Sequence, residues 1–384
     1  MAPLPRYLAA AFLARLTDDG VGIAVALLAL DRTGRPGLSA LVLTGFMAPH
    51  LLAGPLSGAL AARTRRPRLL YCGALMGFAG SLAGLAGLVG RAPTWVVLLV
   101  AVGGGACGPM ITGGLSALVA GLVAPEGQSR AYAWDAATYN ASSVAAPALA
   151  SGAAYLWSPA TATLAMAGGA ALAAVLVATL PHRVGGGGRS TAAALGAGLR
   201  ALWTVRPLRA ITAGTTLAYL GIGSLTFTTV LLAGRWGDPE GAGPLMTAFA
   251  LGALASTLSL TRLRRTPPAM RLAGYSLLGT GAALALAAVT PSFALCVVVY
   301  ALAGLANGPL LSSTFHVRAE HAPEGTRAQV FTLGAAMKIS AAAAGAALAG
   351  AGAALPPPVL LLVIAGLQFG GFAVIRPTWT VRDA

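Results

Sequence analysis

The sequence predicts an all-α integral membrane protein, with twelve transmembrane helices arranged as two six-helix bundles. Three observations predict it. The chain is 57% hydrophobic and only 9% charged, with mean hydropathy +0.78, whereas a soluble domain carries about 25% charged residues. Apolar runs of bilayer-crossing length, about 20 residues, recur along the whole chain. The second half of the chain also repeats short signatures of the first.

The apolar runs, broken at charge, Gly and Pro clusters, fall at 8–30, 38–62, 69–90, 94–122, 131–157, 160–181, 208–233, 242–261, 270–290, 293–316, 327–351 and 357–376. The first is followed by many others and reads as a spanning helix rather than a cleaved leader. The runs are rich in Ala and Gly, which lets helix backbones approach closely in lipid. Cys72, Cys107 and Cys296 all lie in apolar runs and show neither metal-ligand spacing nor a disulfide framework.

Charge sets the expected orientation. The net charge is +15, but the basic residues are gathered between apolar runs, as in "RTRRPR" at 63–68 and "RLRR" at 262–265. That is the pattern of cytoplasmic loops rather than of a nucleic-acid-binding face. With the N-terminus inside, nineteen Arg fall in inside segments and four (Arg32, Arg35, Arg91 and Arg235) in outside loops. Both termini are therefore expected in the cytoplasm of a multi-pass protein of the cell membrane, working as a monomer in the lipid bilayer.

The repeat has a nearly constant offset. "ACGPM" at 106–110 matches "ANGPL" at 306–310, "APEG" at 124–127 matches 322–325, and "RTRRP" at 63–67 matches "RLRRTP" at 262–267. Between the halves lies a Gly run and then a basic, partly apolar stretch that could lie on the membrane surface as a short amphipathic helix. The expected domains are 1–182, a linker at 183–206, and 207–384. A duplicated six-helix unit is the logic of transporters built around a central site.

The loop after the second run reads G-A-L-A-A-R-T-R-R-P-R-L-L from Gly58 to Leu70. It resembles the G-x-L-a-D-R-x-G-R-R-x-x-L loop of the major facilitator superfamily, with Gly58, Leu60, Arg63, Arg66 and Leu70 in place and Ala62 where the family has Asp. The "APEGQSRA" loop before the fifth run resembles the family's P-E-x-x-R-A connection. The resemblance implies alternating access between the two halves and a cytoplasmic gate containing Gly58, Arg63 and Arg66. A drug-antiporter branch carries G-x-x-x-G-P-x-x-G-G in its fifth helix. Here the stretch from Ser142 to Ser151 keeps Pro147, with Ala146 and other small residues in the Gly positions. The fourth-helix Arg of proton-linked exporters has no counterpart in "VGGGACGPM".

Charges inside apolar runs mark the candidate site. Arg15, Asp18 and Asp19 sit at i, i+3 and i+4 in the first run, on one helix face. Each central Asp costs about 2.5–3.5 kcal/mol to insert. Arg15 neutralises one carboxylate, and the other is left to carry a proton or to meet a polar neighbour. Asp135 precedes Thr138, Tyr139 and Ser142 on a polar stripe of the fifth run, and reads either as cavity lining and a proton relay or as a surface ion pair with Arg130 or another loop Arg. Lys338, the one Lys among 25 basic residues, lies within the eleventh run, where it either pairs with Asp18 or Asp19 or snorkels. His50 could titrate near neutrality or be a satisfied core residue. Tyr139, Asn140, Ser142, Thr215, Tyr219, Asn307 and Gln368 could hydrogen-bond a substrate or join helices.

No nucleotide loop, nucleophile elbow or metal cluster is visible, so neither enzyme activity nor a cofactor is expected. The leading expectation is a secondary transporter that exports a small apolar or amphipathic molecule in exchange for protons. An importer or facilitator of a small metabolite in the same fold, and a non-transporting membrane scaffold or receptor, are the alternatives.

Overall fold

In the computed structural model, residues 3–34, 36–47, 49–181, 191–236, 242–263, 267–352 and 354–379 are described. Fifteen α-helices form among them: α1 (Pro3–Thr33), α2 (Pro36–Met47), α3 (His50–Arg63), α4 (Pro67–Leu88), α5 (Thr94–Pro109), α6 (Leu115–Leu122), α7 (Gln128–Leu156), α8 (Pro159–Ala178), α9 (Thr191–Thr204), α10 (Arg206–Gly234), α11 (Ala242–Arg262), α12 (Ala269–Ala288), α13 (Phe293–His321), α14 (Arg327–Ala351) and α15 (Pro357–Ile375). Parts of the basic stretches, including Arg264, Arg265, Arg183 and Arg189, lie outside the described residues, as does the side chain of His50.

Local chemistry explains the helix starts. Pro occupies the first turn of α4, α8, α10 and α15, where its missing N–H is one the helix cannot use anyway. Ser158 and Ser292 cap α8 and α13 by accepting backbone N–H bonds from Thr161 and Leu295. At the far end of α4, Gly90 adopts φ 76°. Arg32 there donates to the terminal carbonyls of Ala86 at 2.5 Å and Val89 at 3.1 Å, placing a cation at a helix C-terminus.

Nine spans among the described residues are long and apolar enough to cross a membrane. One of them, 41–61, covers parts of α2 and α3, and another, 94–122, joins α5 to α6. Helices α1, α7 and α12 have 31, 29 and 20 residues. Their polar and charged residues set them apart from the nine: Arg15, Asp18 and Asp19 in α1, Asp135 and Asn140 in α7, Arg271 in α12.

Two compact units form. Unit 1 holds residues 1–125, 141–199 and 324–336; unit 2 holds 126–140, 200–323 and 337–384. In unit 1, α8 packs against α1 and α4, and α5 against α2 and α4. In unit 2, α13 packs against α11 and α12, and α15 against α10 and α12. The cores are apolar, with Leu28, Phe78, Leu82 and Ile111 fully buried in unit 1 and Tyr300, Leu284, Leu361 and Ile364 in unit 2.

The repeat is visible in the packing. In unit 1 a Cβ at Gly105 would run into the carbonyl of Phe46. In unit 2 a Cβ at Gly304 would run into the carbonyl of Phe249. Each half thus uses glycine to bring two helix backbones into contact. One difference breaks the symmetry. After Pro109 five residues, Met110–Gly114, wind as a π turn between α5 and α6, whereas α13 runs through Pro309 as continuous α-helix.

Candidate functional site

In unit 1 the charges of α1 are held by two serines. Arg15 is 1% exposed, and its guanidinium donates to Ser116 Oγ at 2.9 Å. Ser116 in turn donates to the carbonyl of Thr112, inside the π turn, at 3.4 Å. Four residues further along α1, Asp19 accepts a hydrogen bond from Ser142 Oγ at 2.5 Å; Ser142 is fully buried on α7. Asp18 is half-buried. Its electrostatic neighbours are Asp19 and Arg15, and it makes no hydrogen bond or ion pair among the described residues. The two adjacent carboxylates therefore have different surroundings.

The same face of α1 is closely packed. Gly20 lies against Ala146, and a Cβ there would come within 2.8 Å of Met166 Sδ. Ala146 is fully buried, while its neighbour Pro147 is exposed and α7 continues through it. Gly58 of the gate motif faces the first turns of α14. A Cβ at that position would approach Gln329 Cα at 2.8 Å and collide with Thr332 Oγ1. Arg63 and Arg66 are exposed at the end of α3 and just after it.

In unit 2 a second group of polar side chains gathers among aromatic rings. Lys338 Nζ lies 4.7 Å from the ring centroid of Tyr219 and 5.7 Å from that of Tyr139, both within cation–π range. The Tyr139 ring meets Phe315 at 5.7 Å, and Phe315 also meets Tyr132 at 6.2 Å. Arg318, one turn beyond Phe315 on α13, is 3% exposed. Its Nε has no hydrogen-bond partner. Asp135, fully buried, stands one turn before Tyr139 on α7.

Other predicted residues bond between helices or within their own helix, or keep an unpartnered atom. Asn140 donates to Thr257 Oγ1 at 2.8 Å and joins α7 to α11. Gln368 donates to the carbonyl of Ala218 at 2.8 Å and joins α15 to α10. Thr215 bonds back to Ile211 and Thr212 in its own helix. Asn307 is half-buried, and its Oδ1 lacks a partner. Three residues of these groups escape the sequence reading: Ser116, Phe315 and Arg318. The first makes its contact 101 residues away from Arg15, and no local pattern signals it. Arg318 reads as a loop charge in sequence, because the apolar run ends at 316.

A cavity of 470 Å³ within unit 2 is lined by Arg206, Arg271, His316, Glu320, His321 and Trp379, among others. None of the sequence-derived site candidates lines it. Among the described residues no group of three His, Cys, Asp or Glu could hold a metal ion.

The same fold occurs in solved transporter structures, whereas a search of curated proteins finds no match. The structural matches extend over nearly the full chain. The human organic anion transporter MFSD10 is similar with TM-score 0.79 and 19% identity, covering 98% of this chain and 100% of that one. A bacterial homologue of the iron transporter ferroportin, outward-facing, has TM-score 0.78 and 21% identity, with full coverage of both. The E. coli fucose:proton symporter has TM-score 0.77 and 13% identity, covering 100% of this chain and 99% of that one. Identities this low establish a shared fold. The Major Facilitator Superfamily profile matches residues 7–346, and the chain accordingly belongs to that superfamily of membrane transporters, which are not enzymes.

Proposed function

We propose that the chain is a secondary transporter that moves a small organic solute by alternating access, driven by protons, with the Arg15–Asp18–Asp19 group of α1 carrying the proton. One observation carries the reading. Two adjacent carboxylates in the middle of an apolar helix have unlike surroundings: Asp19 is held by Ser142, and Asp18 makes no hydrogen bond or ion pair among the described residues, with Asp19 and Arg15 beside it. An ion pair with Arg15 needs one carboxylate. The second has no structural need and would be costly in lipid unless it exchanges a proton through a wetted cavity. Arg15, tied to Ser116, keeps one negative charge in place while the other carboxylate loads and releases its proton.

Proton symport would make the carrier an importer, and the similarity to a fucose:proton symporter supports that direction. Export in exchange for protons is the second reading. It is supported by the small-residue surface around Pro147, where Ala146 packs on Gly20. In this proposal α1, α7 and α12 also span the bilayer, making twelve spans with both termini in the cytoplasm.

The test uses purified protein in proteoliposomes with an imposed pH gradient, with solute accumulation as the readout. Asp18→Asn is expected to bind solute but lose gradient-driven accumulation. Asp19→Asn is expected mainly to reduce folded yield, since it loosens Ser142 and Arg15 together. Full gradient-driven transport by both variants, with matched expression, refutes the proton-carrying role.

A further inference from the structure

We infer that unit 2 contains a binding subsite for an organic monoanion, a carboxylate attached to an apolar or aromatic body, made by Arg318, Lys338, Tyr219 and Tyr139. The inference deepens the transport reading by naming the solute class and rests on that reading for its role in a cycle.

The charge balance is the first argument. Within this group Arg318 and Lys338 are two cations: Lys338 lies over the rings of Tyr219 and Tyr139, and Arg318 stands one turn beyond Phe315, which meets the Tyr139 ring. Asp135, one turn before Tyr139, is the one carboxylate deep inside a helix of this unit among the described residues. Glu320 belongs to the exposed end of α13, where it lies 3.7 Å from His316 and 3.9 Å from His321. Two cations against one carboxylate leave a net positive charge in the group. A monoanion balances it.

The second argument is the state of Arg318. A guanidinium keeps its charge in any protein environment, and burying it without a counter-charge is strongly destabilising. Arg318 is 3% exposed, its Nε lacks a partner, and it makes no hydrogen bond or salt bridge among the described residues. Its planar fork of donors suits the two oxygens of a carboxylate. The Tyr219 hydroxyl likewise makes no hydrogen bond among the described residues and can supply a further donor.

The third argument is residue choice. Lys338 is the one Lys in the chain, and the other Lys-or-Arg positions are all Arg. A compact ammonium on a flexible stem can rest on the faces of Tyr219 and Tyr139 and swing to an anion, where a rigid fork would need two fixed acceptors. The rings of Tyr139, Phe315 and Tyr132 give the apolar part of the ligand a surface to stack on.

An anionic solute also explains why protons would be coupled. Uptake of one negative charge against an inside-negative potential is opposed in proportion to the charge moved. Carrying one proton with each monoanion makes the step electroneutral.

The experiment is equilibrium binding to purified protein in lipid nanodiscs, read by thermal shift and intrinsic tryptophan fluorescence. The probes are lactate, benzoate and 2-naphthoate, each paired with its neutral amide, plus benzylamine as a cation. Carboxylates should bind, with the aromatic ones tighter, and each should exceed its amide by about tenfold or more, as expected for a charge-assisted pair. Lys338→Gln should remove about tenfold of that preference, and Lys338→Arg, which keeps the charge but not the flexible ammonium, should restore only part of it. Arg318→Gln should abolish the preference if it folds; the Lys338 pair decides the matter if it does not. Equal binding of acid and amide, preference for benzylamine, or an unchanged preference in Lys338→Gln overturns the subsite. Because binding is read without a gradient, a failure of proton coupling leaves this result standing, and the reverse holds too.

Discussion

Ser142 on α7 donates a 2.5 Å hydrogen bond to the carboxylate of Asp19 on α1, and the serine is fully buried. A short bond between a hydroxyl and a carboxylate belongs to the strong, charge-assisted class. It ties together two helices that the chain separates by more than a hundred residues. Ser142→Ala is therefore expected to destabilise the protein by about 1.5–3 kcal/mol, and Ser142→Thr, which keeps the hydroxyl, by much less. Thermal unfolding in detergent measures both. Equal midpoints for Ala and wild type would show that the bond contributes nothing.

Gly58 packs against Gln329 and Thr332 with no room for a side chain. Gly58→Ala should cost about 1–3 kcal/mol by overpacking and slow solute flux, and Gly58→Val should be worse on both counts. The neighbouring Arg63 and Arg66 are exposed. Changing both to Ala should slow transport while leaving membrane insertion intact. An unchanged flux in the double variant assigns these arginines to topology alone.

The paired glycine contacts make a symmetrical prediction. Gly105→Ala and Gly304→Ala each drive a methyl into a backbone carbonyl, of Phe46 and of Phe249. Helix backbones must separate in both cases, so each variant should lose stability by about the same amount, on the order of 1–3 kcal/mol. Folded yield and thermal midpoint of the two variants, measured side by side, check this. A large loss from one and none from the other contradicts the equivalence.

The Arg asymmetry predicts an orientation with both termini in the cytoplasm. Reporter fusions at residue 35 and residue 195 should report opposite sides of the membrane, with 195 cytoplasmic. Both on one side would rule out the twelve-span arrangement.

How much is legible in the sequence depends on how each feature leaves its mark. Arg15, Asp18 and Asp19 stand out because charge in an apolar run is expensive, and the expense is visible one residue at a time. Gly58 stands out through a motif. Arg318 does not, because hydropathy ends the run at 316 while the helix continues to His321; a charge in the final turn looks like a loop charge until its burial is known. Ser116 leaves no mark at all, since nothing near it names Arg15. For Asn140 and Thr215 the polar side chain is legible but its role is not. A bond to Thr257 on another helix and a bond to the helix's own backbone look alike in sequence.

The π turn at Met110–Gly114 has a consequence for how far the two repeated stretches are interchangeable. Each residue of an α-helix advances the direction of its side chain by about 100°, and a π turn inserts an extra residue into that rotation. The stretch beyond Pro109 is therefore turned relative to the stretch beyond Pro309, where α13 has no such turn. That rotation belongs to the segment that presents Ser116 to Arg15. The two repeated stretches are thus structurally distinct parts. A chain built by joining two first halves would carry the rotation twice, and one built from two second halves would lack it. Neither would restore the original division of labour.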